Sequence, residues 1–290
     1  MRERLDTLLV RRGLAPSRER ARALIMAGDV RVNGRAATKA GEQTPEDADL
    51  SLVEQPPELR YVSRGGLKLE RALEAFGLDP TGLVCLDVGA STGGFTDVLL
   101  RRGARHVYAI DVGHGQLAWS LRNDPRVTVM ERTNIRQVER LPEPVDCAVC
   151  DVSFISLRPV LPRMAALLAP GAWAVALVKP QFEAGREAAN RGRGVISDPE
   201  THRRVLRDLL VWLTAWPARA AADATVGPPL VARGLTGSPI AGRDGNHEYL
   251  LWLTRLRDGD HVPPTSALDE AAIDRAVAET LERTSMANEN

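Results

Sequence analysis

Four ionisable residues stand where predicted elements begin or end, and they are Lys68, Asp151, Lys179 and Glu248. Lys68 opens an amphipathic helix, where the helix dipole disfavours a cation, so its position favours a role in chemistry or in anion binding. Asp151 and Lys179 follow directly after apolar runs that are typical of strands. Lysine and carboxylate side chains brought together can bind an anion or transfer a proton. Taken singly, each of the four is more typical of a charged surface residue.

A glycine-rich turn separates a predicted strand from a predicted helix within residues 83–100. Glycines allow backbone N–H groups to approach a ligand closely, and ligands bind at the open end of such strands. A dinucleotide fingerprint has the spacing G-x-G-x-x-G, whereas here three residues separate Gly89 from Gly93 and Gly94. This spacing favours a ligand without phosphates, for which S-adenosylmethionine is the obvious candidate. The alternative is a tight turn that binds nothing.

Two further strand ends carry polar residues suited to such a ligand. Asp111 ends the next apolar run, 22 residues after Gly89, and an acid about 20 residues on is the usual partner of ribose hydroxyls. Asn134 ends a third run and could reach an adenine. The residues predicted to bind the cofactor are Gly89, Ala90, Ser91, Gly93, Gly94, Phe95, Asp111, Asn134 and Asp151.

Apolar runs and helical patterns alternate through the central part of the chain, which predicts a parallel sheet with helices on both faces. The fold class expected is therefore α/β, a Rossmann-like, doubly wound, mostly parallel sheet. The carboxyl ends of parallel strands share one edge, so Asp151 and Lys179 should lie beside the glycine turn. Further along, the sequence predicts helices over 200–213 and 266–283, the second capped by Ser266-x-x-Asp269. The Gly/Arg-rich loop 183–194 is compatible with a polyanion clamp or with a mobile loop.

Charge is unevenly distributed within the first 58 residues. Residues 1–40 hold ten arginines and lysines against four acids, and residues 41–58 hold six acids and no base, although the whole chain is neutral. Two short helices, a hairpin at Asn33-Gly34 and a strand near Leu50 predict a small α+β module. A basic module ahead of an acidic spacer favours binding of a polyanion, whereas an ordinary solvated face is the alternative.

Cysteine usage and hydropathy exclude several classes of protein. Three cysteines do not make a disulfide scaffold, and Cys147-x-x-Cys150 lies in a run typical of a buried strand. No apolar stretch approaches the ~20 residues needed to span a membrane. We therefore expect a cytoplasmic protein with no membrane partner and no metal site, acting as a monomer.

The order of features in the basic module resembles the RNA-binding domain named after ribosomal small-subunit protein four. The match rests on Arg4-Leu5-Asp6, on Ser17-Arg18 at the start of the second helix, and on Val30-x-Val32-Asn33-Gly34. The resemblance implies that a basic face grips folded RNA through its phosphates, which give affinity rather than sequence choice. The residues predicted to bind RNA are Arg4, Arg18, Arg22, Arg31, Lys39 and Arg64.

The order Lys68, Asp151, Lys179, Glu248 resembles the catalytic set of ribose 2′-O-methyltransferases of the FtsJ type, in which the second lysine is the expected base. The whole chain is similar to the TlyA family of bacterial RNA methyltransferases, once labelled haemolysins. The longest matches are residues 62–69, 87–100, 111–118, 151–157, 177–183 and 245–249. One departure is Tyr61, where the family linker often has Trp.

The resemblance implies S-adenosylmethionine-dependent 2′-O-methylation of cytidine in ribosomal RNA of the small subunit and also of the large subunit. It implies an RNA-binding domain at 1–58, a linker at 59–62, a methyltransferase domain at 63–256 and a C-terminal helix with an acidic tail at 257–290. The alternatives are a ribosome-assembly factor with a non-catalytic crevice, a small-molecule methyltransferase, and a dehydrogenase. The glycine spacing disfavours a dehydrogenase, and the basic module disfavours a small substrate. Whether Lys179 is a base or an orienting cation stays open.

Overall fold

The structure of this chain is a computed structural model, and it divides into two units, Met1–Arg60 and Tyr61–Asn290. The residues that it describes are 2–15, 17–53, 60–185, 194–223, 227–242, 244–257, 260 and 268–288. Three features discussed above fall at least partly outside these residues: most of the 183–194 loop, the first residue of the expected linker, and Ser266.

The N-terminal unit contains the two helices and the hairpin that the sequence predicts. Its elements are β1 (Arg2–Arg4), α1 (Leu5–Arg11), α2 (Arg18–Ala27), β2 (Val30–Val32), β3 (Arg35–Ala36), β4 (Gln43–Pro45) and β5 (Leu50–Leu52). Asn33 and Gly34 both have positive φ, as a two-residue hairpin turn between β2 and β3 requires. β5 pairs with β2, while β1 and β4 form a separate antiparallel pair that the sequence did not predict.

The larger unit alternates strands and helices around a seven-stranded sheet. Its strands are β6 (Val84–Val88), β7 (His106–Ile110), β8 (Val127–Met130), β9 (Val145–Cys150), β10 (Leu168–Val178), β11 (Leu230–Gly237) and β12 (Tyr249–Arg255). Its helices are α3 (Gly66–Phe76), α4 (Gly94–Arg101), α5 (Trp119–Arg122), α6 (Leu161–Leu167), α7 (Pro180–Glu183), α8 (Pro199–Thr214), α9 (Trp216–Ala222) and α10 (Glu270–Asn288).

The strand order is β11-β12-β10-β9-β6-β7-β8, in which β8, β7, β6, β9 and β10 run parallel. β12 is antiparallel to both of its neighbours. The chain runs outward from β6 to β8 and then crosses back to β9 on the other side of β6. In open α/β sheets this reversal creates a crevice at the carboxyl ends of the strands. The predicted doubly wound, mostly parallel sheet is confirmed.

Side chains of the central strands alternate between two apolar layers, one on each face of the sheet. In β6, Leu86 packs into one layer and Cys85 into the other. In β9, Cys150 belongs to the first layer and Cys147 to the second. All three cysteines are free and buried, which confirms their prediction as core residues.

The last helix begins later than the sequence predicts. It runs from Glu270 to Asn288, and the side chain of Asp269 accepts a hydrogen bond from Ala272 N at 2.9 Å. Asp269 is therefore the capping residue, because its carboxylate satisfies an N–H group that has no partner within the helix. Ile273 and Val277 bury their side chains against the sheet layer that contains Leu86.

Candidate active site

A cavity of about 490 Å³ lies at the carboxyl ends of β6, β7 and β9. Of the residues predicted to bind the cofactor, five line this crevice: Gly89, Ser91, Asp111, Asn134 and Asp151. The backbone N–H of Asp151 donates to Val88 O at 2.9 Å, so the end of β9 is held beside the glycine turn.

The carboxylate of Asp111 is fixed by two backbone donors. Ser91 N donates to Oδ2 at 2.7 Å, and Gly113 N donates to Oδ1 at 2.6 Å. These bonds tie the end of β7 to the glycine turn and hold both oxygens at the crevice wall. A carboxylate held in this way is suited to accept hydrogen bonds from a vicinal diol such as that of ribose.

Gly89 has a φ of +85°, and a Cβ at this position would collide with the carbonyl oxygen of Asp151. Only glycine allows the turn to pass this close to β9. The crevice therefore depends on the absence of a Cβ at Gly89, where backbone atoms alone form its floor.

The charge of the crevice lining separates classes of ligand. Two carboxylates, Asp111 and Asp151, line it, and no lysine or arginine is among its lining residues in the described part of the chain. The charge of Asp151 is offset by Lys179, but a phosphate-bearing cofactor would still be repelled by the carboxylate of Asp111, whereas a cation without phosphates would be stabilised by it. The residues present fit S-adenosylmethionine, whose sulfonium carries a positive charge.

A buried carboxyl group, that of Asp87, lies on β6 directly below the glycine turn. Its Oδ2 accepts a hydrogen bond from Thr96 Oγ1 at 2.6 Å, while Oδ1 has no hydrogen-bond partner among the described residues. The pKa of Asp87 is raised to about 7, chiefly by burial; the hydrogen bond from Thr96 opposes the shift, and the charge of Asp151 adds to it. A buried carboxyl group with only one of its two oxygens hydrogen-bonded by described residues therefore lies below the wall of the crevice.

A second cavity, of about 440 Å³, contains the predicted catalytic residues. Lys68 Nζ lies 2.5 Å from Glu248 Oε2, and both side chains are buried. Lys179 Nζ lies 2.6 Å from Asp151 Oδ1 and donates to Ser153 Oγ at 2.8 Å. Lys68, Lys179 and Glu248 line this second cavity, while Asp151 lines the crevice. The Asp151–Lys179 ion pair thus joins the two cavities.

In the N-terminal unit, three of the arginines predicted to bind RNA surround one buried carboxylate, that of Asp6. Arg4 donates to both of its oxygens, at 2.9 and 3.1 Å, and Arg22 and Arg18 donate to Oδ2 at 3.0 and 3.3 Å. The hydrogen bonds from Arg4, followed by those from Arg22 and Arg18, hold the pKa of Asp6 well below its usual range. Each guanidinium group stays about half exposed. Three cations around one anion leave a net positive surface.

Comparisons with known proteins agree with both units. The model of the FtsJ-like methyltransferases matches residues 61–216, more than half of the chain, and that of the S4 domain matches residues 3–47. The 16S/23S rRNA (cytidine-2′-O)-methyltransferase TlyA of Mycobacterium tuberculosis is 46% identical over 280 residues, covering 96% of this chain and 98% of the relative. The chain belongs to the TlyA family of FtsJ-like methyltransferases.

Two further relatives are similar over nearly the whole length. YqxC of Bacillus subtilis, named as a candidate rRNA methyltransferase, is 46% identical over 271 residues and 90% of each chain. A solved structure of a hemolysin candidate from Streptococcus thermophilus is 40% identical, covers 100% of this chain and 99% of its own, and has a TM-score of 0.68. In the described part of this chain, no helix is long and apolar enough to cross a membrane. The same residues contain no group of three or more potential metal ligands.

Four of the residues predicted to bind the cofactor do not line the crevice of this methyltransferase. Ala90 and Phe95 are buried in the apolar layer on one face of the sheet. Gly93 packs against the side chains of Leu117 and Leu121. A Cβ on Gly94 would lie 2.9 Å from the backbone nitrogen of Gly66, so this glycine allows the starts of α3 and α4 to approach each other. These four residues therefore support the turn by packing on the side away from the crevice.

The remaining residues predicted to bind RNA are at the surface. Arg31 on β2 and Lys39 in the loop before β4 are exposed. Arg64, in the larger unit, lines the second cavity, and its Nη2 donates to Ala241 O at 2.5 Å and to Gly242 O at 3.1 Å. Tyr61, where the family often has Trp, donates its hydroxyl to Glu70 Oε1 at 2.7 Å.

Two residues between the cavities were not predicted from the sequence. Ser153 and Phe154 line both cavities. Phe154 has a φ of +64°, exposes 90% of its surface and lies 5.2 Å, centroid to centroid, from the ring of Phe182. The sequence signal was present, because both phenylalanines directly follow strand ends that carry a catalytic candidate, but no periodicity assigns a role to such residues.

Proposed function

We propose that this chain catalyses S-adenosylmethionine-dependent 2′-O-methylation of cytidine in ribosomal RNA, in the small subunit and also in the large subunit. The observation that carries the proposal is the Asp151–Lys179 ion pair, which joins a crevice suited to the methyl donor to a cavity suited to the acceptor. The named activity of the Mycobacterium tuberculosis relative supports the choice of cytidine and of both subunits.

In this proposal, Asp111 binds the ribose of the cofactor, Asn134 lies near its adenine, and Asp151 faces its positively charged end. When bound, S-adenosylmethionine would supply a methyl group that passes to the hydroxyl oxygen, a C–O bond forming as the C–S bond breaks and a neutral thioether leaves. The contribution of the protein is to hold the reactants in line, and positioning of this kind is worth ~7–11 kcal/mol of the barrier. Because Gly89 has no side chain, the reactants can lie close to the backbone of the turn.

Lys179 is placed to receive the proton of the 2′-hydroxyl. Its Nζ donates to Ser153 Oγ at 2.8 Å and lies 2.6 Å from Asp151 Oδ1, so these two groups hold the amine that would accept the proton in its neutral form. When the proton is transferred, the carboxylate of Asp151, 2.6 Å away, stabilises the ammonium that forms. The Lys68–Glu248 ion pair lines the same cavity, and within it the positive charge of Lys68 is offset by the negative charge of Glu248.

The rest of the acceptor cavity suits a nucleotide. The exposed ring of Phe154 beside that of Phe182 offers an aromatic surface on which an unstacked base can lie. Arg64 at the same cavity supplies a guanidinium group for a backbone phosphate. A small-molecule acceptor would need neither a stacking surface nor a separate basic unit.

The N-terminal unit supplies the affinity for ribosomal RNA through Arg4, Arg18, Arg22, Arg31 and Lys39. We assign residues 1–58 to this RNA-binding domain, 59–62 to the linker, 63–256 to the methyltransferase domain and 257–290 to the C-terminal helix and tail. Because one chain carries both the RNA-binding surface and both cavities, we propose that it acts as a monomer. A ribosomal RNA substrate places the reaction in the cytoplasm.

The test is to map 2′-O-methyl groups on ribosomal RNA of both subunits after incubation with S-adenosylmethionine and the wild-type chain, Lys179→Ala or Arg105→Ala. Arg105 is a matched control, because it is an exposed cation of the same unit whose ion-pair partner among the described residues is the exposed Glu143. We expect new modified cytidines with wild type and Arg105→Ala and none with Lys179→Ala, which should still bind the RNA. Binding of RNA without any methylation by the wild type would favour an assembly factor and overturn the proposal.

A further inference from the structure

We propose that Glu183 is a positioning residue that holds the Ser153–Leu157 loop and thereby sets the place of Phe154 between the two cavities. The inference rests on the proposed function, because Phe154 is the residue expected to contact the acceptor base. Glu183 itself lines neither cavity, so it would act only through this loop.

Both oxygens of the Glu183 carboxylate bind the far end of the loop. Ser156 Oγ donates to Oε2 at 2.7 Å, and the backbone N–H of Leu157 donates to Oε1 at 2.6 Å. Leu157 is buried in the apolar core, so this end of the loop is anchored. Ser156 Oγ also accepts a bond from Arg158 N at 3.2 Å, which orients its own hydrogen toward Glu183.

The near end of the loop is held by the same short helix. Lys179, the residue immediately before α7, donates to Ser153 Oγ at 2.8 Å, and Glu183 is the last residue of α7. One helical turn therefore binds the loop at both ends, with Phe182 of that turn packed beside Phe154. The catalytic candidate Lys179 and the loop are thus joined by direct hydrogen bonds.

Phe154 lies between these two attachments in a backbone conformation that a residue with a Cβ rarely adopts. Its ring is exposed, so burial of the ring does not account for the conformation. Strained residues persist where the surrounding contacts determine the backbone, and they cluster at functional sites. The hydrogen bonds of Lys179 and Glu183 hold the two ends of this loop, and Ile155 between them packs against the apolar core.

A carboxylate is the group that the arrangement requires. The two groups facing Glu183, a hydroxyl and a backbone N–H, are both donors, and a carboxylate offers two acceptor oxygens. An amide is neutral, so Glu183→Gln keeps the size of the side chain but replaces the two charge-assisted bonds by weaker neutral ones, with the bond to Ser156 Oγ reversed in direction. Glu183→Asp keeps both acceptors on a shorter side chain.

Two measurements on the full-length chain test the proposal. The first is hydrogen exchange, read by mass spectrometry, of the amide of Leu157, whose recorded partner is Glu183. In Glu183→Gln we expect this exchange to accelerate at least tenfold, with partial recovery in Glu183→Asp. Glu74→Gln is the matched control, because Glu74 is an exposed glutamate of the same unit, and it should leave the exchange unchanged. This readout does not depend on methyl transfer, so it stands even if the proposed function fails.

The second measurement is a double-mutant cycle on kcat/KM for ribosomal RNA. Glu183→Gln and Phe154→Ala should each lower kcat/KM about tenfold or more. The kcat/KM of the double variant should lie within about twofold of that of the less active single variant. Additive losses would show that Glu183 does not act through Phe154. Unchanged Leu157 exchange in Glu183→Gln, or full activity of that variant, would equally overturn the proposal.

Discussion

At the scale of single residues, the surroundings of Lys179 distinguish a base from a cation. Arginine keeps a positive charge but is not deprotonated in proteins, so it can orient an oxygen and cannot take its proton. We expect Lys179→Arg to lose on the order of 10²–10⁴-fold in kcat, as Lys179→Ala should, because general-base catalysis contributes about that factor. Initial rates of methyl transfer from labelled S-adenosylmethionine measure the loss. Activity of Lys179→Arg within tenfold of wild type would assign Lys179 an orienting role.

Asp87 should make the stability of the enzyme depend on pH. Its pKa is raised to about 7 in the folded chain, whereas in the unfolded chain it is near 3.8. The folded state therefore holds the proton more tightly, so the contribution of Asp87 is greatest below about pH 4 and is lost as pH rises to about 7. The shift is about three pKa units, and at about 1.4 kcal/mol per unit roughly 4 kcal/mol is involved.

The variant Asp87→Asn removes this titration, because an amide stays neutral and can still accept the bond from Thr96. We expect the free energy of unfolding of wild type, measured with urea in the absence of S-adenosylmethionine, to fall more steeply between pH 5 and pH 7 than that of Asp87→Asn. Curves that run parallel over this range would show that Asp87 is already ionised in the folded chain.

At the scale of elements, strand order explains why part of the site was predictable. Asp151 and Lys179 follow adjacent parallel strands, so the sheet itself brings them to 2.6 Å. Glu248 precedes β12, which is antiparallel to β10 with Tyr249 opposite Val178, so the start of β12 lies beside the end of β10. Lys68, near the start of α3, pairs with Glu248, which lies 180 residues later in the sequence.

Features that depend on contacts between irregular segments were not predictable in the same way. The short strands β1 and β4 are polar and have no apolar period, so nothing in the sequence marks their pairing. β10 begins at Leu168, although Pro170 and Gly171 suggest a break, because an irregular register absorbs them. The role of Glu183 depends on hydrogen bonds to a loop 26 and 27 residues away, which leave no trace in periodicity.

Asp6 of α1 accepts hydrogen bonds from Arg18 and Arg22 of α2, so this carboxylate joins the two helices. Because Arg4, Arg22 and Arg18 lower the pKa of Asp6 in the folded chain, the stabilisation is present above the unfolded pKa near 3.8 and is lost as pH falls below it. Asp6→Asn should lower the free energy of unfolding of this unit by on the order of 1–3 kcal/mol at pH 7, a modest figure because the arginines are half exposed.

Urea unfolding monitored by hydrogen exchange of residues 5–27 measures this loss, and the difference from wild type should shrink at pH 3. Asp47→Asn is the matched control, because Asp47 is an exposed acid of the same unit and should change neither value. An equal loss at pH 7 and pH 3 would assign the effect to packing instead of charge.

At the scale of the whole molecule, the proposed RNA-binding surface and the proposed methyl-donor crevice belong to different units, and their charges differ. The first 40 residues hold ten basic and four acidic residues, whereas the crevice for the methyl donor is lined by two carboxylates and no base among the described residues. Binding of RNA phosphates releases counterions and weakens steeply with salt, whereas binding of a cofactor without phosphates depends on salt much less. Salt should therefore raise the KM for ribosomal RNA much more than the Kd for S-adenosylmethionine.

The double variant Arg31→Gln/Lys39→Gln tests this division, because both residues are exposed in the N-terminal unit and neither belongs to the Asp6 cluster. We expect a raised KM for ribosomal RNA, an unchanged kcat at saturation and an unchanged Kd for S-adenosylmethionine. The slope of log Kobs for RNA against log salt should become shallower by about 1.4–1.8, since each phosphate contact contributes about 0.7–0.9. Lys179→Arg should show the opposite pattern, with kcat lowered and the salt slope unchanged. A fall in kcat for the double variant would mean that the basic unit takes part in the chemical step, so that recognition and chemistry are coupled.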